Sequence, residues 1–235
     1  MKLIMPMAGL ATRFNKNSSE LIIKPLIDVK GRKLYQWAMD PFRNLISDSD
    51  RIFIIQKSHH ELEKILRVNH PQDIIKTLNG PTRGPGETLS FAMDLMDSTP
   101  VVVCDCDLYF ESGEFEQFIL SREKNTDSGV LTFFSDKPQY SYVIQENGFV
   151  KDINEKKVIS NQAVCGCYYF SSGTKLKGLV ESTYERIKER EIFLSDVIKT
   201  SLLKGERCRS FKCDIHVSLG TPEELKENAD SLPRE

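Results

Sequence analysis

Charge of one sign is missing from this sequence: 32 lysines and arginines face 34 aspartates and glutamates, for a net charge of −2 over 235 residues. That balance supplies no global basic field for nucleic acid, although a local cationic pocket is compatible with it. Long apolar runs are also missing. A membrane helix needs about 20 consecutive apolar residues, and the runs here are strand-sized pieces. Lys2 with the apolar residues after it only faintly imitates a signal peptide, because Pro6, Gly9 and Arg13 interrupt the stretch. The expectation is a cytoplasmic chain with no membrane and no nucleic-acid partner; a homo-oligomer is left open. Internal repeats, low-complexity linkers and the spacing G-x-G-x-x-G are absent as well, which disfavours a dinucleotide-dependent dehydrogenase. His59, His60, His70 and His216 offer no metal-ligand spacing, and the first two read as the surface start of a helix.

What is present is an ordinary globular composition, 40% hydrophobic and 28% charged, at a length suited to one large α/β domain or two small ones. Six cysteines occur as Cys104-x-Cys106, Cys165-x-Cys167, Cys208 and Cys213. Residues i and i+2 of a strand share a face, so each C-x-C can point into one core. Zinc sites prefer C-x2-C with a turn between the ligands, so the cysteines read as buried reduced thiols.

Along the chain, strand-like runs at residues 2–5, 25–29, 51–56, 73–78 and 101–104 alternate with helical periodicity at residues 34–45, 62–68 and 87–96. Pro41 marks a break in the first of these helices. Such alternation predicts an α/β fold with a doubly wound, mostly parallel central sheet, Rossmann-like in outline. In these sheets ligands lie beyond the carboxyl ends of the strands. The loops at residues 8–13 and 80–88 and the acids Asp105 and Asp107 each follow a predicted strand, so they are expected to converge. The second half reads as strands at residues 129–134, 140–145, 149–153 and 163–170, with a hairpin at Asn147-Gly148. Helices follow at residues 176–188 and 193–203, then a strand at 209–217 and a helix at 223–229 capped by Thr221 with Pro222 next. We expect a single domain over residues 1–235, divided near residue 112 into two lobes, 1–112 and 113–235.

Three local features carry chemistry. The loop Ala8-Gly9-Leu10-Ala11-Thr12-Arg13 leaves a strand, presents backbone amides and ends in a planar donor fork suited to phosphate. Taken alone it reads equally as a tight strand-to-helix turn with a surface arginine. Lys24, ahead of Pro25, adds a second cation, though a lone lysine there is usually just solvated. Asp105 and Asp107 share one face of an extended chain, a spacing that favours a hard divalent cation over two independent turn caps.

In order along the chain, MPMAGLATRF, KPLIDVKGRKLYQWAMD, GPTRGPGETL, VCDCDLYF, NEKKVISNQAVCGCYYF, EIFLSDV and SLGTPEEL resemble the motifs of the sugar-phosphate nucleotidyltransferases. The resemblance covers nearly the whole chain. More narrowly, PMAG and the compact length resemble members from bacterial capsule and surface-polysaccharide clusters, among them a CTP:phosphoglutamine cytidylyltransferase that loads a non-sugar phosphate. It implies the nucleotide-diphospho-sugar transferase fold and transfer of a nucleoside monophosphate from a triphosphate, CTP by first choice, to a phosphorylated small molecule. Mg2+ is the implied cofactor, and capsule or surface-polysaccharide precursor synthesis the implied setting.

Carried onto this chain, Ala8, Gly9 and Leu10 match the triphosphate loop, with Arg13 and Lys24 as the catalytic cations. Thr82, Gly84, Glu87 and Thr88 occupy the loop that reads the base, and Asp105 lies beside the nucleotide. Asp107 matches the metal-binding aspartate, with Asp105 a candidate partner. Lys156, Gly166 and Glu191 match the acceptor side. Two departures stand out. The first loop has Ala11 where the family commonly has a second glycine, and Ser218 stands where many relatives place a second metal aspartate. A second ligand must then come from Asp105, Asp214, phosphates or water. The competing reading is a Mg2+-dependent glycosyltransferase using Asp105-x-Asp107, for which the Arg13 and Lys24 pair is superfluous.

Overall fold

The computed structural model describes residues 1–16, 21–121, 123 and 125–233. Alternation by twos decides its layering. In β1 (Lys2–Met7) the side chains of Leu3, Met5 and Met7 enter one apolar cluster while Ile4 enters another, because successive strand side chains point to opposite faces. The same division separates Phe53 and Ile55 from Ile52 and Ile54, and Val102 from Val101 and Val103. Both faces must therefore be covered, and helices cover them. Tyr35, Leu62, Leu66 and Phe115 pack on one side; Leu89, Leu176, Val180, Val197 and Ile198 pack on the other. Each fully buried Leu, Val or Phe contributes about 1.5–3 kcal/mol.

The remaining strands in chain order are β2 (Asp28–Val29), β3 (Arg32–Lys33), β4 (Arg51–Gln56), β5 (Ile74–Leu78), β6 (Val101–Cys104) and β7 (Leu108–Glu111). Then come β8 (Ser128–Phe134), β9 (Tyr142–Glu146), β10 (Phe149–Asn154), β11 (Gln162–Phe170), β12 (Cys208–Lys212) and β13 (Ile215–Ser218). The helices are α1 (Thr12–Asn15), α2 (Leu34–Met39), α3 (His60–Asn69), α4 (Pro85–Thr88), α5 (Gly113–Ser121), α6 (Gly173–Arg186), α7 (Leu194–Leu203) and α8 (Pro222–Asn228).

One nine-stranded sheet runs β5-β4-β1-β6-β11-β8-β12-β10-β9. Strands β5, β4, β1 and β6 are parallel. Beyond them β11 runs antiparallel to β6 and to β8, β12 is parallel to β8, and β10 is antiparallel to both of its neighbours. The fold is thus α/β with a mixed sheet, and the expected mostly parallel arrangement is limited to the first half. The reason lies in the connections: β8, β9, β10 and β11 follow one another without a crossover helix, and parallel neighbours need one.

Other expectations shift for local reasons. Residues 25–29 divide into a 3-10 turn at Lys24–Leu26 and the short β2. The helix expected at residues 87–96 divides into α4 and a 3-10 stretch at Leu89–Leu95. The last strand divides at Cys213-Asp214, whose amides donate to Thr132 and Glu111 respectively. β12 therefore stays in the main sheet, while β13 leaves it to pair with β7. That two-stranded ribbon is held by a third apolar cluster containing Leu34, Trp37, Tyr109, Val217 and Leu219. All six cysteines are buried and free, as expected. His59 does precede a helix, but it is buried rather than on the surface. No helix among the described residues is long and apolar enough to cross a membrane.

Candidate active site

Strand order reverses between β1 and β6: the chain steps outward from β1 to β4 to β5, then returns to the other side of β1. Such a switch point leaves a crevice at the carboxyl ends of the two strands. The loop after β1 and the acids after β6 therefore flank one opening, a cavity of about 500 Å³. Gly9, Arg13, Lys24, Asp105, Asp107, Lys156, Gly166 and Glu191 all line it.

The β1 loop turns sharply. Ala11 caps α1 at φ 49° and ψ 39°, left-handed backbone that costs an L residue about 1–2 kcal/mol. Asn15 fastens the turn, donating to the carbonyls of Leu10 and Ile22 and accepting from the Ile22 amide. Arg13 follows on α1, exposed, with no ion-pair partner among the described residues. Lys24 enters from the 3-10 turn fixed by Pro25, and its Nζ donates to Asp107 Oδ2. Burial acts to lower the Lys24 pKa; Asp107, Cys106 and Asp105 together outweigh it, and the value is raised. Burial, followed by the Asp107 charge, pushes the Asp105 carboxyl up to about 7.

Gly166 explains how Asp105 is seated. It lies within an irregularity in the β11–β8 pairing, at φ 98°, and its carbonyl accepts from the Asp105 amide at 2.9 Å. A Cβ there would stand 2.7 Å from Asp105 Oδ2 and 2.8 Å from Leu108 Cδ2. Glycine is needed on both counts.

Elsewhere on the wall, Lys156 Nζ lies 4.1 Å from the Phe193 ring centre and 3.7 Å from Glu155 Oε1. Glu155 Oε2 accepts from the hydroxyls of Ser141 and Ser195. Glu191 is exposed and contributes to the wall, as do Gln139, Tyr140, Ser218 and Glu224. Gln139, Tyr140 and Glu224 are not expected from the sequence, and Glu155 is expected only as the neighbour paired with Lys156. Glu155 and Glu224 both sit inside quoted motifs, and acids beside Lys156 and in the first turn after the Thr221 cap were the available signals.

The remaining expected residues take other positions. Ala8 is buried and its carbonyl accepts from Gln56 Nε2, while Leu10 points outward, 53% exposed. Of the segment from Thr82 to Thr88, Pro85 lines the cavity. Thr82 and Thr88 bond each other through their hydroxyls at 2.7 Å, and Glu87 accepts from the Arg83 amide. Gly84, at φ 108°, packs against Glu191 and Ile192, where a Cβ would stand 2.6 Å from Glu191 Cγ. Two backbone bonds, Ile192 to Arg83 and Gly86 to Ile192, join this loop to the segment that carries Glu191. Asp214 accepts from the Gly113 amide at the start of α5, outside the cavity wall.

No protein-family model matches the chain, and no curated protein sequence matches it either. Solved structures do. A nucleoside-diphosphate-sugar pyrophosphorylase from Vibrio cholerae superposes with a TM-score of 0.78 at 19% identity, over 96% of this chain and 98% of that one. A Bacillus anthracis protein described as a glucose-1-phosphate thymidylyltransferase, solved with sucrose, gives 0.81 at 19% identity, over 100% and 96%. The inositol-1-phosphate CTP transferase of T. maritima gives 0.76 at 13% identity, over 95% and 91%. The chain shares the fold of these proteins. At such identities the fold is what is shared. Within that fold, the crevice between β1 and β6 holds the cations and acids gathered above.

Proposed function

We propose that this chain is a nucleotidyltransferase that moves a nucleoside monophosphate from an NTP onto the phosphate of a small acceptor and releases pyrophosphate. One observation carries the reading: Arg13, Lys24 and Lys156, from three separate segments, line a single cavity with Asp105 and Asp107. Two polyanions must meet for this reaction, and positioning with charge neutralisation suffices without a protein nucleophile. Arg13, which has no ion-pair partner among the described residues, binds the phosphates that leave. Lys24 moves from Asp107 to the α-phosphate or to the attacking oxygen. Lys156 holds the acceptor phosphate, and Glu191 takes an acceptor hydroxyl or amine.

The acids present hard oxygen ligands, and an ammonium already rests on Asp107, so the donor set suits a hard cation. Mg2+ held by Asp107, with Asp105 beside it, would neutralise charge on the phosphate oxygens. CTP is the first nucleotide to test, because the sequence resemblance favours it and one fold neighbour is a CTP transferase. The acceptor is a sugar phosphate or another phosphorylated metabolite. Capsule or surface-polysaccharide precursor synthesis rests on the sequence resemblance alone.

Pyrophosphate release measured with four NTPs against a panel of sugar 1-phosphates and phosphorylated amino-acid derivatives tests the proposal. CTP-dependent release that EDTA abolishes is expected. Turnover of a nucleotide sugar, with no pyrophosphate from any NTP, would replace it with the glycosyltransferase reading.

A further inference from the structure

Glu224 is a buried acid that no step above uses. Its residue is only 4% exposed, yet it lines the cavity from the first turn of α8. One carboxylate oxygen, Oε1, accepts from the Tyr140 hydroxyl and from Gln139 Nε2 at 2.6 Å. No hydrogen bond or ion pair reaches Oε2 among the described residues. Burying a carboxylate costs several kcal/mol unless its charge is compensated. Two neutral donors on one oxygen and the N-terminal turn of α8 answer that charge only in part.

The uncommitted oxygen lies close to Asp107 where Gly220 leaves no room for a side chain. From the position a Cβ on Gly220 would take, the nearest atoms are Asp107 Oδ2 at 2.9 Å and Glu224 Oε2 at 3.1 Å. Two carboxylate oxygens thus come within about 3 Å of one position, where like charges repel unless a cation attends them both. A cation already attends the first of them, since the Lys24 ammonium rests on the same Asp107 oxygen. The fold fixes the pair in advance. Ser218 of β13 is opposite Leu108 of β7, and the Leu219 amide donates to the Asp107 carbonyl at 2.9 Å. Thr221 Oγ1 accepts from the Glu224 amide and orients the first turn of α8.

We infer that Glu224 and Asp107 together hold a divalent cation over Gly220, with Glu224 as the second protein ligand. Among the described residues no three His, Cys, Asp or Glu side chains form a complete cage. Two carboxylates are what Mg2+ ordinarily takes from a protein when waters and phosphate oxygens fill the other positions. The inference rests on the nucleotidyl-transfer reading for those phosphates; the two carboxylates themselves do not depend on it.

The test is Mn2+ binding followed by electron paramagnetic resonance, with and without CTP. The proteins are the wild type, Glu224→Gln, Glu224→Asp, Asp107→Asn and Gly220→Ala, and the melting temperature of each is taken metal-free and with Mn2+. Glu224→Gln keeps the acceptor for Tyr140 and Gln139, so its metal-free melting temperature should match or exceed that of the wild type. Its Mn2+ Kd should rise at least tenfold, as should that of Asp107→Asn. Gly220→Ala, whose Cβ would crowd both oxygens, should do the same, and Glu224→Asp should fall between wild type and Glu224→Gln. Wild-type Mn2+ affinity in Glu224→Gln alongside loss in Asp107→Asn would overturn the inference, as would a wild type that binds no Mn2+ with or without CTP. If Glu224→Gln does not fold, the Glu224→Asp and Gly220→Ala titrations decide by the same criterion. Two-carboxylate Mn2+ binding without pyrophosphate release from any NTP would sink the proposed function and leave this site standing. Pyrophosphate release with an unaltered Mn2+ Kd in Glu224→Gln would do the reverse.

Discussion

Lys24 and Asp107 each make the other tolerable in a crevice that excludes much of the water. Their side chains are about one-fifth exposed, so the pair is neither a free surface bridge nor a sealed one. Removing either partner strands the other charge, a loss that reaches about 3–5 kcal/mol for a fully buried pair and less here. Lys24→Met and Asp107→Asn should each destabilise by about 1–2 kcal/mol and abolish turnover. The double variant should recover most of the stability and none of the activity. Urea unfolding across the four-member cycle, with pyrophosphate release in parallel, checks this; strictly additive stabilities would mean that the two charges do not depend on each other. Ala11 poses a second question at this scale. Its left-handed backbone tolerates glycine best and β-branched side chains worst. Ala11→Gly should therefore be neutral or stabilising by up to about 1 kcal/mol, while Ala11→Val should cost more than 1 kcal/mol. An equal cost for both would remove the claim that backbone strain is stored in this turn.

Elements turn those residues into a site, and β11 shows how. Its departure from regular pairing places Gly166 against Asp105, so Gly166→Ala must move either the strand or the acid. We expect a loss of about 2–3 kcal/mol from the combination of positive φ and overpacking, with at least a tenfold fall in kcat. Chemical denaturation together with steady-state kinetics reads both; a stable, active Gly166→Ala would show that Asp105 needs no such seat. How far elements were legible in the sequence follows from the range of the forces behind them. Asn147 and Gly148 carry their turn locally, at φ 52° and 78°, and the hairpin they predict is present. Thr221 and Pro222 likewise announce α8, whose cap bond forms as expected. β7 left no trace in the reading, because a four-residue strand is stabilised by a partner about a hundred positions away. The same exchange of partners at Cys213-Asp214 swings Ser218 and Gly220 onto the cavity wall. Glu224 could not be placed in the site from sequence, because its approach to Asp107 depends on that swing. Arg13 and Asp107 could be, since each follows a strand whose end is readable, whereas Lys24 is placed by Pro25 beside it and by the family resemblance.

For the molecule as a whole, acid should separate groups that fold neutral from groups that fold charged. Burial lowers the pKa of His59, His70 and His216, the last to about 4 despite the opposing charges of Glu224 and Asp107. His216 stacks on Phe133 with ring centres 3.7 Å apart, an arrangement that leaves its ring little water. A histidine whose folded pKa lies below its unfolded value of about 6.5 takes up protons more readily in the unfolded chain, so acid favours unfolding. Its full stabilising effect is present above pH 6.5 and is lost as the pH falls towards 4. For His216 this amounts to about 2 kcal/mol between pH 7.5 and pH 5. Asp105 works in the opposite direction. With its carboxyl raised to about 7, the folded state binds the proton more tightly, and stability rises as the pH falls below 7. The wild-type profile sums these effects and can look flat, whereas the difference between wild type and His216→Gln isolates one of them. That difference should shrink by about 2 kcal/mol, in favour of the variant, on going from pH 7.5 to pH 5 in urea unfolding. The carboxylates lowered by lysine partners, such as Asp127 and Asp152, lie outside this window because they titrate below the ordinary carboxylate range. Parallel pH profiles for wild type and His216→Gln would mean that His216 is protonated alike in the folded and unfolded chains, and that its stack on Phe133 does not hold it neutral.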